Sequence, residues 1–262
     1  MKYLIYQMDV IPGDPEANRN KVKNWVEEVV KIEKPDTVVL PEMWTTAYTL
    51  PELHELADVE GEPTKSFLER IANDYNINII AGSIANKVEG KVYNSAFVVN
   101  RSGETIYQYD KIHLVPMLDE HSYLNGGEES VKVFELDGIK MGVIICYDLR
   151  FPELARSLAL QGAEVLHVVA EWPTPRKNHW EKLQIARAIE NQMYVISSNR
   201  VGRYIGVGFC GTSMTVDPGG EVLLKGSENE ENHYSVKVDL DSVNKFREEV
   251  PVFRSRVPNL YK

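Results

Sequence analysis

Cys146 closes the apolar run MGVIIC and is followed at once by Tyr147-Asp148-Leu149-Arg150-Phe151-Pro152-Glu153. A thiol placed where a buried strand turns into a helix can be presented at the edge of a sheet, with backbone N–H groups beside it for a developing oxyanion. The competing reading is an inert core cysteine, since free cysteine is among the most buried residue types. The polar cluster directly after it favours chemistry. Glu42 follows Val38-Val39-Leu40-Pro41 and precedes Met43-Trp44, so an acid ends a buried strand beside an indole. Partial burial makes a carboxylate a better proton acceptor from a weak acid; a helix cap or salt bridge is the plainer alternative. Lys111, in Tyr109-Asp110-Lys111-Ile112-His113-Leu114-Val115, is either a snorkelling surface lysine or, given the apolar stretch after it, an inward ammonium. An inward ammonium would stabilise a thiolate and then the negative oxygen of a tetrahedral intermediate. Nucleophile, base and oxyanion stabiliser are then present, and protonated Glu42 could return its proton to a departing amide nitrogen.

Other arrangements have less behind them. A Cys–His pair would draw on His54, His113, His121, His167, His179 or His233, of which His113 and His121 are the plausible loop residues, but no third residue is indicated. No CxxC, HExxH or HxH spacing suggests zinc, and no GxxxxGK[ST] suggests a phosphate loop. Cys210, between Phe209 and Gly211, reads as a silent residue inside a strand, with Gly206, Gly208 and Gly211 implying a close backbone approach nearby.

The elements that must position these residues alternate. Strand-like apolar runs fall at 3–8, 37–40, 77–84, 92–99, 140–146, 164–170, 194–198 and 207–216. Helical spacing falls between them: Val22, Trp25, Val26, Val29 and Val30; then Phe67, Leu68, Ile71 and Ala72; then Leu154 and Leu158 after Pro152; then Leu183, Ile185, Ala186 and Ile189. Strands too short and too uniformly apolar to have a wet face predict α/β architecture with helix-covered sheets. Two hairpins, 92–109 and 207–224, make the sheets mixed, and so many strands fit two packed sheets better than one wide one.

The chain has 262 residues, 43% hydrophobic and 26% charged, enough for a substantial core. Twenty-nine basic residues against 39 acidic ones give a net charge of −10, which argues against a nucleic-acid backbone or an anionic membrane as the main partner. Two cysteines and an N-terminus that reads as a first strand instead of a signal peptide predict a cytoplasmic protein. No apolar stretch is long enough to span a membrane. No composition break marks a linker, so residues 1–262 read as one domain, with a tail over 240–262 that wraps its own chain or a partner's.

Together, LPEMW around Glu42, YDKIHLV around Lys111 and CYDLRFPE around Cys146 resemble the nitrilase superfamily of carbon-nitrogen hydrolases, which use a Glu-Lys-Cys triad. AEWPTPRKNHW, ARAIENQMYVISSNRVG and DPGGEVL support the likeness, which runs in order from Tyr3 to Leu224. The resemblance implies a four-layer α-β-β-α sandwich, a homodimer, no metal and no organic cofactor. It implies Glu42, Lys111 and Cys146 as catalytic residues and Glu120 as a second supporting glutamate, with the Tyr147 N–H beside the oxyanion. CYDLRFPE with the EWPxPRxxHW segment is most similar to the omega-amidase branch and to bacterial members associated with methionine salvage. That implies hydrolysis of a small carboxylate-bearing amide of the 2-oxoglutaramate or 2-oxosuccinamate type through a cysteine thioester. Arg176, with Trp172, is the expected reader of the substrate carboxylate; a surface or dimer role is its alternative. Gly211-Thr212-Ser213 departs from the family's usual Gly-His-Ser and bears on substrate choice. Another small amide or nitrile, and a non-catalytic binding subunit, are the rival readings.

Overall fold

In a computed structural model, which describes residues 1–261, two mixed sheets face each other and helices cover their outer sides. The first sheet is built from β1 (Lys2–Gln7), β2 (Thr37–Val39), β3 (Asp58–Val59), β4 (Asn78–Ile80), β5 (Ile84–Val88), β6 (Lys91–Val99) and β7 (Thr105–Asp110). The second contains β8 (Phe134–Leu136), β9 (Ile139–Ile145), β10 (Val165–Ala170) and β11 (Tyr194–Asn199). After a small hairpin of β12 (Arg203–Tyr204) and β13 (Val207–Gly208), β14 (Met214–Val216) and β15 (Val222–Lys225) complete the second sheet, and β16 (Asn232–Lys237) returns to pair with β1. The helices are α1 (Pro15–Glu33), α2 (Leu53–Leu56), α3 (Thr64–Tyr75), α4 (Pro152–Leu160), α5 (Lys177–Asn191) and α6 (Asp241–Glu249).

The period-two alternation of β1 sorts the layers. Tyr3 and Ile5 point into the core shared with Val143, Ile145 and Val168, while Leu4 and Tyr6 meet Val22, Trp25, Val26 and Leu68 of α1 and α3. On the second sheet α4 lies so close to β9 that a Cβ on Gly142 would stand 2.6 Å from Leu158. This is the four-layer α-β-β-α sandwich expected from the sequence. The sheets are also tied by polar contacts: Ser198 donates to the Tyr6 carbonyl at 2.7 Å, and the Ser213 N–H to Gln7 Oε1 at 3.0 Å. Local signals start α1 where its apolar stripe begins. Asp14 accepts the Ala17 N–H at 3.0 Å, Pro15 opens the first turn, and Lys34 ends the helix in the left-handed region.

Two expected strands are broken, each for a reason that bears on the site. The run 77–84 divides because Gly82, at φ +60°, lies against the chain at 40–41; a Cβ there would come within 1.9 Å of the Pro41 carbonyl oxygen. Ser83 then accepts the Met43 N–H on its hydroxyl and the Trp44 N–H on its carbonyl, so residues 81–83 buttress the turn that carries Glu42. The run 207–216 also breaks, and Cys210 lies in no strand. Its N–H goes to the Trp172 carbonyl and that of Gly211 to the Arg200 carbonyl, which draws the segment onto the ends of the second sheet instead of along its plane. Close backbone approach at Gly211 is as expected: a Cβ there would meet the Ser227 carbonyl oxygen at 2.6 Å.

Candidate active site

Each residue of the candidate triad follows directly, or within a short turn, on a strand; two of the strands belong to the first sheet and one to the second. Glu42 lies in the turn after β2, Lys111 directly after β7, and Cys146 directly after β9. Cys146 takes φ +46°, a left-handed conformation costly for a residue with a Cβ, and opens the short 3-10 turn Cys146–Arg150. Asp148 holds that turn. Its carboxylate accepts the Ile145 N–H at 3.2 Å, the Tyr109 hydroxyl at 2.7 Å and the His113 N–H at 3.1 Å. Tyr109 and His113 flank Lys111, so one buried acid fixes the thiol's turn to the segment that carries the ammonium. Asp148→Ala is expected to cost about 3–5 kcal/mol of folding stability, because it removes a buried charge and strands its donors. A thermal unfolding midpoint close to wild type would contradict that anchoring role.

Lys111 is fully buried. Its Nζ donates to Glu42 Oε1 at 3.1 Å, to Glu120 Oε1 at 3.0 Å and to the Tyr48 hydroxyl at 2.8 Å. Burial works against its charge, but Glu42 and Glu120 outweigh burial and hold its pKa above the usual lysine value. Glu42 is equally enclosed. Its Oε1 also accepts from Tyr48 at 2.7 Å and Asn94 at 2.8 Å, and its Oε2 accepts the Glu171 N–H at 2.7 Å. Glu120 takes the Val115 N–H as well, at 2.9 Å. Burial, with Glu42 next to it, pushes the Cys146 thiol well above its ordinary pKa, while Lys111 pulls the other way. A thiolate is therefore not the resting form, and a base must take the proton as the sulfur reacts.

Cys146 opens onto a cavity of about 230 Å³ with largely apolar walls, among them Leu118, Trp172 and Phe209. Tyr147 and Arg176 also line it, so every residue singled out in the sequence for the site lies at the cavity or in the buried cluster beside it. Arg176 is half-buried, and its carbonyl accepts the Trp172 indole N–H at 2.8 Å. A second arginine was missed by sequence reasoning. Arg150 lines the same cavity, with its guanidinium 4.7 Å from the centre of the Trp172 ring and 5.6 Å from that of Tyr147, and its Nε has no partner. The signal was inside CYDLRFPE: an arginine in the short polar turn that opens at the thiol is kept close to it by the chain itself. Neither loop histidine joins the site. His113 binds Asp148 and stacks on Phe151 with ring centres 3.5 Å apart, and His121 pairs at the surface with Asp119. Among the described residues, no His, Cys, Asp and Glu group is arranged to hold a metal ion.

Comparison with known proteins agrees with this geometry. The carbon-nitrogen hydrolase family matches residues 5–248. The chain belongs to the carbon-nitrogen hydrolases. It is 42% identical to the 2-oxoglutaramate amidase of Bacillus subtilis (strain 168) across the full length of both proteins. It is 31% identical to the omega-amidase YafV of Escherichia coli (strain K12), covering 97% of this chain and 96% of that one. Among solved structures it superposes on a carbon-nitrogen hydrolase from Helicobacter pylori G27 with a TM-score of 0.93, at 27% identity and over 100% and 96% of the two chains. The nitrilase-superfamily membership expected from the three motifs therefore stands, and the protein is an amide-hydrolysing enzyme of that superfamily.

Proposed function

We propose that this hydrolase cleaves a small carboxylate-bearing amide of the 2-oxoglutaramate or 2-oxosuccinamate type. The observation that carries this reading is a buried Lys111 between Glu42 and Glu120 beside a thiol that opens onto a cavity walled by Arg150 and Arg176. Glu42 takes the proton of Cys146 as the sulfur bonds to the amide carbon. Lys111 and the Tyr147 N–H hold the resulting oxyanion. As the intermediate collapses, the C–N bond breaks, the proton on Glu42 passes to nitrogen, and ammonia leaves. Water then attacks the thioester with Glu42 again as base; the C–S bond breaks, the thiol regains its proton and the carboxylic acid departs. Glu120 orients Lys111. These steps need no metal or organic cofactor.

The substrate class rests on the named relatives and on the two cationic side chains in an apolar cavity. Because the chain as a whole is negative, attraction of an anionic substrate falls to such local groups. A guanidinium paired with a carboxylate away from water is worth about 2 kcal/mol or more, so kcat/KM for 2-oxoglutaramate is expected to exceed that for propionamide by about 30-fold. Arg150→Ala and Arg176→Ala are expected to erode that preference while sparing the neutral amide. Lysine at either position restores only part, since an ammonium keeps the charge but not the planar fork. No preference in the wild type would move the assignment to another small amide or nitrile. Equal losses on both amides in the Arg176 variant would make that residue structural.

The same reading takes residues 1–262 as one hydrolase domain, since both sheets supply the site. It takes the tail over 240–262 as a contributor to a homodimer; Lys262 lies outside the described residues. Val250, Val257 and Leu260, all exposed, support a partner for that tail. Two free thiols support a reducing, cytoplasmic home, and among the described residues no helix is long and apolar enough to cross a membrane.

A further inference from the structure

The third carboxyl of the site has no place in the cycle above. Glu171 follows β10 and lines the cavity. Its backbone N–H is committed to Glu42, but its side chain is buried apart from Lys111 and meets a different cation. Arg200 Nη1 donates to Glu171 Oε1 at 3.2 Å, while Oε2 has no hydrogen-bond partner. Arg200 is itself enclosed, held by the Val10 and Val201 carbonyls and lying 4.4 Å from the centre of the Phe209 ring. Its other acid, Asp9, stands 3.5 Å away and is half-exposed. The buried charges can be counted. Around the site Lys111 and Arg200 face Glu42, Glu120 and Asp148, so the acids already outnumber the buried cations by one, and an ionised Glu171 would add a second negative charge in excess, with one oxygen lacking a donor.

We propose that Glu171 is a specificity-determining residue: its carboxyl is kept neutral so that a carboxylate-bearing amide can occupy the adjoining cavity, and its ionisation turns such a substrate away. The inference deepens the function proposed above and rests on it. The groups that face Glu171 are Arg200 from the end of β11, Glu42 from the turn after β2, Lys111 after β7 and Tyr204 from β12. Burial pushes the Glu171 carboxyl up to about 8, against the pull of Arg200 and with Glu42 adding to the rise. The neighbouring thiol and phenol titrate higher, since burial raises both Cys146 and Tyr204. On this wall, then, it is Glu171 that changes charge between pH 7 and 9.5.

The test is the pH dependence of KM for 2-oxoglutaramate, whose carboxylate stays ionised throughout, and for propionamide, from pH 6 to 9.5. In the wild type, KM for the acidic amide should climb about tenfold above pH 8 while that for propionamide stays level, because the new charge repels only an anion. Glu171→Gln, nearly isosteric and unable to ionise, should leave both profiles level. A flat wild-type profile for the acidic amide, a climb shared by propionamide, or a climb that survives in Glu171→Gln would each overturn the assignment to Glu171. The two readings fail differently. Loss of preference for the acidic amide at pH 7 would sink the proposed substrate and this role with it, whereas a preference at pH 7 with a flat profile would sink this role alone.

Discussion

Cys146→Ala is expected to lower kcat on any amide by about 10⁴-fold or more, with the unfolding transition close to that of the wild type. Sulfur is the atom that bonds to carbon in the proposed cycle, and no neighbour can replace it. Alanine keeps a Cβ at the left-handed position, so the backbone strain there is unchanged by the substitution. The control is Cys210→Ala. That thiol is buried behind the Trp172 carbonyl and accepts from Asn199 at 3.4 Å, so its loss should leave most activity in place. Steady-state turnover of the folded variants decides the matter: more than a few per cent of wild-type kcat in Cys146→Ala would reject it as the nucleophile, as would inactivation by iodoacetamide with label on Cys210 alone.

Glu42→Gln is expected to abolish both halves of the reaction, because one base takes the thiol proton and later the proton of water. Since the thiol is held well above its ordinary pKa, little thiolate is available to bypass the missing base. Glu120→Gln is a milder change. The amide oxygen still accepts from Lys111, and what is lost is one of two charges around that ammonium, so the first step should persist at a reduced rate. Intact-mass measurement on rapidly quenched mixtures separates the two: no thioester should appear on Glu42→Gln, and a slowly formed one should appear on Glu120→Gln. Normal acyl-enzyme formation by Glu42→Gln would require a different base.

The clustering of the candidate triad was legible because each member stands just past a strand in unusual company: Met43 and Trp44 after Glu42, an apolar stretch after Lys111 and a polar cluster after Cys146. LPEMW, YDKIHLV and CYDLRFPE are strand ends in any fold that buries its sheets on both faces. The layers were legible for the same reason, since alternation at Tyr3, Leu4, Ile5 and Tyr6 has to be satisfied on two sides. Arg150 and Glu171 were not picked out, although both lie within quoted motifs. Their surroundings depend on what packs against them, Trp172 in one case and Arg200 in the other, and those neighbours come from other strands. The two broken strands were missed because their interruption is imposed from outside: by the turn at 40–41 pressing on Gly82, and by the ends of the second sheet capturing the N–H groups of Cys210 and Gly211.

The division of the site between two sheets bears on how the chain acquires activity. Glu42 and Lys111 arrive on one sheet, Cys146 and Glu171 on the other, and the contacts between the two pairs exist only after the sheets have closed face to face. A chain that has formed either sheet alone holds a thiol without its base, or a lysine and two acids without a nucleophile. On the proposed cycle, partly folded molecules are thus catalytically silent, and during synthesis turnover cannot begin until Cys146 has been made and its sheet packed against the first.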